Sequence, residues 1–206
     1  MAILFYTSPT SIGVATHIAL EESGLDYELV EIDFTKQQQS SSDYLKINPK
    51  ARVPSLLVED GVLTETPAIL TYIAQLAPNS SLKLPSDPFQ FAAIQSFNSY
   101  LSSTVHVAHA HNHRGARWAD DPDALKAMTA YVPKSLSACF ALIESSLIKG
   151  PWVHGQKFSI SDPYLFRMAS WMEADGVDIA QYPRTLQHWE AMAQRKSVRT
   201  VLDWFS

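Results

Sequence analysis

Within residues 48–66, NPKARVPSLLVEDGVLTET, groups able to do chemistry crowd together. Arg52-Val53-Pro54 precedes a short apolar run, Asp60-Gly61 marks a turn, and a second short run ends at Glu65-Thr66. A proline directly before a strand cannot donate to a ladder, so Pro54 belongs at a strand's first residue or in a turn, where a cis X-Pro bond finds its use. Val53 would then present its own N–H and C=O outward, free to pair with an extended, peptide-like ligand. Glu65 and Thr66 stand where the second run meets an apolar helical stretch. A helix start carries unpaired N–H groups and partial positive charge, so it holds a carboxylate well. A strand-like pairing group and an anion seat a few residues apart suit a small charged peptide.

A second patch, STVHVAHAHNHRGARW, carries His106, His109, His111 and His113, then Arg114, Arg117 and Trp118. On a helix, His106, His109 and His113 share one face by three- and four-residue steps. Paired histidines of this kind bind zinc or nickel, so a metal-handling protein is one rival reading. No carboxylate or cysteine nearby in the sequence completes a ligand set, and the His-Glu-x-x-His spacing is absent. No metal is expected. Arg114, Arg117 and Trp118 suit an anionic or aromatic small molecule, or equally helix-end packing and surface charge.

The elements that must hold these groups follow from pattern. Residues 2–6 read as a buried strand, and Ser8-Pro9-Thr10-Ser11 supplies caps for a helix that Gly24 ends near residue 23. Residues 27–32 alternate as a second strand, and 36–42 are loop or a short helix start, followed by a helical turn through Tyr44 and Leu45. Strands at 54–58 and 62–64 flank Glu59-Asp60-Gly61, a hairpin signal. A helix over 67–77 follows, with Pro67 in its first turn. This order predicts a mixed sheet with helices on its faces, the thioredoxin-like α/β arrangement, with a right-handed first crossover. The expected domains are residues 1–77, a proline-rich linker at 78–88, and an all-α helical bundle over 89–206 with helices at 89–110, 121–148, 161–175 and 183–194 and a short terminal turn. Ser159-Ile160-Ser161-Asp162 fits a capping box with Asp in the place usually given to Glu or Gln.

Composition narrows the class. The chain has 206 residues, 46% hydrophobic and 18% charged, as expected of a soluble globular protein. A net charge of −5 gives no reason to expect nucleic-acid or anionic-membrane partners. The single cysteine, Cys139, excludes an intramolecular disulfide and fits a reducing compartment. The first ten residues lack a basic region before a long apolar core, so no signal peptide is read, and no apolar run approaches the roughly 20 residues of a membrane span. A cytoplasmic protein is expected.

The pattern Asn-Pro-x-x-x-Val-Pro at 48–54, the hairpin, and Thr-Glu-Thr-x-Ala-Ile-Leu-x-Tyr-Ile-Ala at 64–74 together resemble the glutathione-binding half of the glutathione S-transferases. ILFYTSPTSIGVATHIALEESGLDYELVEID resembles that domain's first strand, helix and second strand, and the likeness covers nearly the whole chain. The resemblance implies glutathione as co-substrate, a small hydrophobic electrophile as second substrate, and a homodimer. It implies that Val53 pairs through its backbone with the cysteinyl part beside Pro54, and that Glu65 meets the α-amino group and Thr66 the carboxylate of the γ-glutamyl end. Lys36 and Arg52 are then candidates for the glycyl carboxylate. The reaction needs a thiolate, and a free thiol near pKa 8.5 is mostly protonated at neutral pH.

A hydroxyl aimed at the sulfur supplies the remedy. Aligned on His17-Ile18-Ala19-Leu20, the tyrosine-type families place their hydroxyl at Tyr6 and the serine-type families at Thr10, with Ser11 adjacent. Thr10 and Ser11 are the leading candidates and Tyr6 the third. The bacterial cysteine-type family, closest in overall look, places its cysteine where Ile12 stands, which excludes a mixed disulfide at that position. His106 falls where that family carries an active-site-facing histidine, and it stands with His109, Arg114 and Trp118 from the same patch as the expected second-substrate residues. Gly155, Ser159 and Asp162 match the family's helix-capping segment. A glutathione-dependent isomerase, a reductive ether-cleaving enzyme or a non-catalytic glutathione-binding protein would share these motifs.

Overall fold

The computed structural model describes residues 3–204. Ala2, the start of the first expected strand, lies outside the described residues. The chain divides into two compact units, Met1–Phe91 with Gln194–Ser206, and Ala92–Ala193.

In the first unit, β1 (Leu4–Thr7), α1 (Gly13–Ser23), β2 (Glu28–Glu31), α2 (Ser42–Ile47), β3 (Ser55–Val58), β4 (Gly61–Thr64) and α3 (Thr66–Leu76) follow the expected order. The strands lie side by side as β2-β1-β3-β4, with β1 and β2 parallel and the other pairs antiparallel. This is the thioredoxin-like sheet. Alternation along β1 buries Phe5 and Thr7 completely while Leu4 and Tyr6, on the opposite face, are half-buried. Every residue of α1 from Gly13 to Leu20 is buried, and the helix packs on α3, whose Ile69, Leu70 and Ile73 are fully buried. Gly24, at φ 69°, stops α1 in the left-handed conformation that glycine tolerates best. At the other end of α1, a Cβ on Gly13 would lie 2.0 Å from Thr7 Oγ1, so only glycine lets the helix start this close to β1.

The second unit is helical apart from one isolated bridge, Trp152 to Gly155, among the described residues. α4 (Pro88–Tyr100) runs into a π-helical segment, Leu101–Val105, and without a break into α5 (His106–His113). α6 (Pro122–Leu142) likewise ends in a π-helical segment, Ile143–Leu147. α7 (Ser161–Ala169) and α8 (Pro183–Ala193) complete the unit. One arm of the expected capping box forms ahead of α7: the Asp162 carboxylate reaches back to Ser159, while the Asp162 N–H bonds the Ser159 carbonyl instead of its hydroxyl. The Ser159 N–H and hydroxyl donate to Asp162 Oδ2 at 2.7 and 2.8 Å, and Val153 N–H donates to Oδ1 at 2.8 Å.

Two expectations change. The helix expected over 161–175 closes at Ala169. The Trp171 and Met172 N–H groups bond to the carbonyls of Met168 and Ala169, only three residues back, and Gly176 turns left-handed at φ 76°. The chain's end also does not stay with the second domain. α9 (Lys196–Asp203) is a formed helix packed on α1 in the first unit. There the Glu22 carboxylate accepts from Arg195 Nε at 2.5 Å, Arg195 Nη2 at 2.6 Å, Ser197 Oγ at 2.5 Å and Ser81 Oγ at 2.6 Å, and Val198 and Val201 are fully buried. A carboxylate this buried requires such a full set of donors. Among the described residues, no helix is long and apolar enough to cross a membrane.

Candidate functional site

The ladder brings the candidate residues of the first unit to one end of the sheet. β1 pairs with β3 through Tyr6 and Ser55, and β3 with β4 through Ser55 and Thr64. Val53 and Pro54 enter β3 at this end, and Glu65 and Thr66 leave β4 from it. The loop leaving β1, with Thr10 and Ser11, departs from this same end.

Val53 is held by the loop before it. The Val53–Pro54 peptide is cis, and Ala51 adopts φ 54°. The Arg52 carbonyl accepts from the Tyr44 hydroxyl and from Asn48 Nδ2, each at 2.7 Å. Asn48 Nδ2 also reaches Ser55 Oγ at 3.1 Å, its Oδ1 accepts from Lys50 N–H at 3.1 Å, and the Tyr44 hydroxyl lies 2.9 Å from Ser55 Oγ. Burial raises the Tyr44 phenol pKa, although hydrogen bonds from Ser55 and Asn48 oppose the rise, so it stays a donor. The Val53 side chain packs with Ile32 and Tyr44, flanked by Tyr6, Phe34 and Ile47. Its backbone N–H and C=O, by contrast, make no hydrogen bond among the described residues. Both groups are left open to a hydrogen-bonding partner. They lie just before the interior strand β3.

Glu65 is the residue before α3 and adopts φ 71°, ψ 118°. A non-glycine residue in so sparsely populated a region costs on the order of 1–3 kcal/mol, and such residues cluster at ligand sites. Its carboxylate accepts from Lys50 Nζ at 2.5 Å, and Lys50 Nζ also donates to Thr64 Oγ1 at 2.6 Å. Thr66 follows, buried, as the first residue of α3. Val53, Glu65 and Thr66 thus share one corner.

In the loop after β1, the two hydroxyls differ. Ser11 is buried; its Oγ donates to the Ser8 carbonyl at 2.8 Å and accepts from Gly13 N–H at 3.0 Å, which caps α1. Thr10 is exposed, and its hydroxyl makes no hydrogen bond among the described residues. Ile12 is buried at the cap of α1. The Tyr6 ring lies 5.9 Å from that of Tyr44, within the packing around Val53. Lys36 is exposed and paired with Asp33 Oδ2 at 3.0 Å, in a turn where hydrogen bonds from Thr35 and Lys36 hold the Asp33 carboxyl down to about 2. The Arg52 side chain is exposed, without a partner among the described residues.

The second unit gathers two of its four candidates. His109 stacks flat on Trp171, with ring centroids 4.0 Å apart and planes 2° from parallel, and His106 lies 5.4 Å from the same indole. The Arg167 guanidinium sits 4.8 Å from the Trp171 ring centre, and burial lowers its pKa to about 10, still charged at neutral pH. His109 Nδ1 pairs with Asp175 Oδ2 at 2.6 Å, while Asn112 Nδ2 donates to Asp175 Oδ1 at 2.9 Å. Arg114 closes α5 and is exposed. Trp118 packs instead edge-on to His111, with centroids 4.7 Å apart. No group of three or more metal-binding side chains occurs among the described residues.

Sequence reasoning missed Tyr44, Asn48 and Lys50 as supports of the Val53 corner, and Asp175, Trp171 and Arg167 around His109. Asn48, at a fixed distance before Val53-Pro54, carried a readable signal. Asp175 did not, since 66 residues separate it from His109.

Comparison with known proteins gives a uniform result. Residues 1–75 match the model of the glutathione S-transferase N-terminal domain, and residues 110–203 that of the C-terminal domain. The chain is similar to glutathione S-transferase GstA of Escherichia coli O157:H7, 31% identical over 202 residues, which is 97% of this chain and 96% of that protein. It is also similar to the crystal structure of a glutathione transferase homolog from Sulfitobacter with bound glutathione, at 45% identity and TM-score 0.96, covering 99% of this chain and 98% of that one. A sphingomonad glutathione S-transferase complexed with glutathione superposes at TM-score 0.86 with 31% identity, covering 98% of each chain.

Proposed function

The chain belongs to the glutathione S-transferase family and is a glutathione transferase, and from that premise we propose how its first unit holds and activates the tripeptide. Glutathione lies extended along Val53, its cysteinyl N–H and C=O paired with the Val53 backbone. The γ-glutamyl α-ammonium meets the Glu65 carboxylate, and its carboxylate meets the Thr66 N–H and hydroxyl at the start of α3, where the helix end favours negative charge. The exposed Arg52 guanidinium takes the glycyl carboxylate ahead of Lys36, which is already paired with Asp33. The observation that carries this reading is the unpaired Val53 backbone beside Pro54, at the corner that also bears Glu65 and Thr66.

Thr10 donates to the sulfur. Its exposed hydroxyl is uncommitted within the described residues, whereas Ser11 spends its Oγ capping α1 and Tyr6 packs on Tyr44. A donor aimed at the sulfur favours thiolate over thiol, and the thiolate attacks the electrophile while its leaving group departs with the bonding electrons. His106 and His109, gathered on Trp171, contact a small hydrophobic electrophile, with Arg114 and Trp118 further along the chain. A homodimer, a cytoplasmic setting and a detoxifying role without a metal complete the proposal, supported by the family and by the lone cysteine.

Titrating the thiol of bound glutathione by its thiolate absorbance tests the reading. In the Thr10→Ala protein the bound thiol should ionise about one pH unit higher than in the parent, while Ser11→Ala should leave that titration in place and lower thermal stability. Ionisation no easier than in free glutathione in the parent protein would leave binding without activation.

A further inference from the structure

Glu65 does not wait alone. The Lys50 ammonium sits 2.5 Å from Glu65 Oε1 and 2.6 Å from Thr64 Oγ1, with side-chain exposures of 43% for Lys50 and 63% for Glu65. Lys50 reaches there from the same loop that presents Val53, its own N–H fixed by Asn48 Oδ1 at 3.1 Å. An ammonium with three donors is the same chemical group as the α-ammonium of a γ-glutamyl head. Glu65, at φ 71° just before α3, carries the carboxylate that this lysine meets.

We infer that Lys50 is a placeholder cation for the γ-glutamyl seat: its ammonium neutralises Glu65 until the ligand's α-ammonium replaces it. The inference rests on the reading of Glu65 as the amino-group seat. Two cations within a few ångströms of one carboxylate repel each other, so a ligand bearing the ammonium must displace or crowd Lys50. A ligand lacking the ammonium gains from the same lysine, because its α-carboxylate then approaches a neutralised Glu65 instead of a bare negative charge. Lys50 therefore narrows the difference in affinity between the two kinds of ligand. It sets specificity and touches no reacting atom.

Calorimetric titration of the intact protein with glutathione and with deaminoglutathione, the same tripeptide with hydrogen in place of the α-amino group, separates the roles. In Lys50→Met, glutathione should bind about threefold tighter and deaminoglutathione about threefold weaker, the scale of one exposed ion pair. Lys50→Arg, which keeps the cation, should match the parent for both. Shifts of both ligands in the same direction, or no shift, overturn the placeholder role and leave Lys50 a support of the loop or a bystander. Glu65→Gln is the control for the underlying reading. If it weakens glutathione while Lys50→Met moves both ligands together, only the placeholder fails. If it leaves both ligands unchanged, the amino-group seat is elsewhere and both fail.

Discussion

Asp162 Oδ1 and His188 Nε2 lie 3.0 Å apart with both side chains buried, and they tie the start of α7 to α8. The same carboxylate takes the Val153 and Ser159 N–H groups and the Ser159 hydroxyl. Replacing it leaves several buried donors without acceptors at once. Asp162→Ala should therefore lower the unfolding free energy by on the order of 3–5 kcal/mol, with Asp162→Asn intermediate because one acceptor oxygen remains. Urea unfolding followed by tryptophan fluorescence measures it, and a loss below about 1 kcal/mol would show that the box is ornamental.

The start of α1 offers a steric prediction. Gly13→Ala puts a Cβ 2.0 Å from Thr7 Oγ1, and Thr7 is itself fully buried. The helix must shift or the strand must open, at a cost of about 3 kcal/mol in thermal or chemical unfolding. Adding Thr7→Ala should recover part of that loss, because it removes the nearest atom. Strict additivity of the two losses would place the collision elsewhere.

His17 gives the protein an acid-side liability. Burial pushes its imidazole pKa from 6.5 down to about 4, against the opposing pull of the Glu21 carboxylate. The ring is enclosed by Phe5, Tyr27 and Trp204, and its Nδ1 is buried without a partner. Between pH 6.5 and 4 the unfolded chain binds a proton that the folded chain refuses, so stability falls as pH falls through that window. His17→Asn should remove this slope. Compared at pH 7 and pH 4.5 by urea unfolding, the parent should lose on the order of 2–3 kcal/mol more than the variant.

The Glu22 carboxylate and the chain's last helix rise and fall together. Burial alone would raise the Glu22 pKa, but hydrogen bonds from Arg195, Ser197 and Ser81 outweigh it and the pKa is lowered from 4.5. That contribution is fully present above pH 4.5 and is lost as pH falls through the depressed value. Arg195→Ala should cost about 3 kcal/mol at neutral pH, reduce the acid-side loss, and speed amide exchange across α9. Exchange in α9 at the parent's rate would mean that its packing on α1 suffices without the ion pair.

How much of this could be read from the residues depends on how far apart partners lie. The succession of strands and helices in the first unit and the hairpin were legible because strand, turn and cap signals are local. The end of α7 was not. Apolar residues continue through Trp171 and Met172, and only the i−3 carbonyls and the turn at Gly176 reveal that the helix has closed. The return of α9 to α1 was hidden for a different reason. There Glu22 meets Arg195 across 173 residues, and an isolated arginine in a sequence does not announce a buried carboxylate. The histidine patch shows the same limit, since Asp175 gives His109 the carboxylate that its neighbours in sequence lack.

The doubly occupied Arg52 carbonyl carries a consequence of its own. An amide oxygen has two lone pairs, and Tyr44 and Asn48 take both. Both donors come from α2 and the residue that ends it, so the peptide just ahead of Val53 is pinned to that helix. The approach to β3 is thereby anchored from outside the sheet.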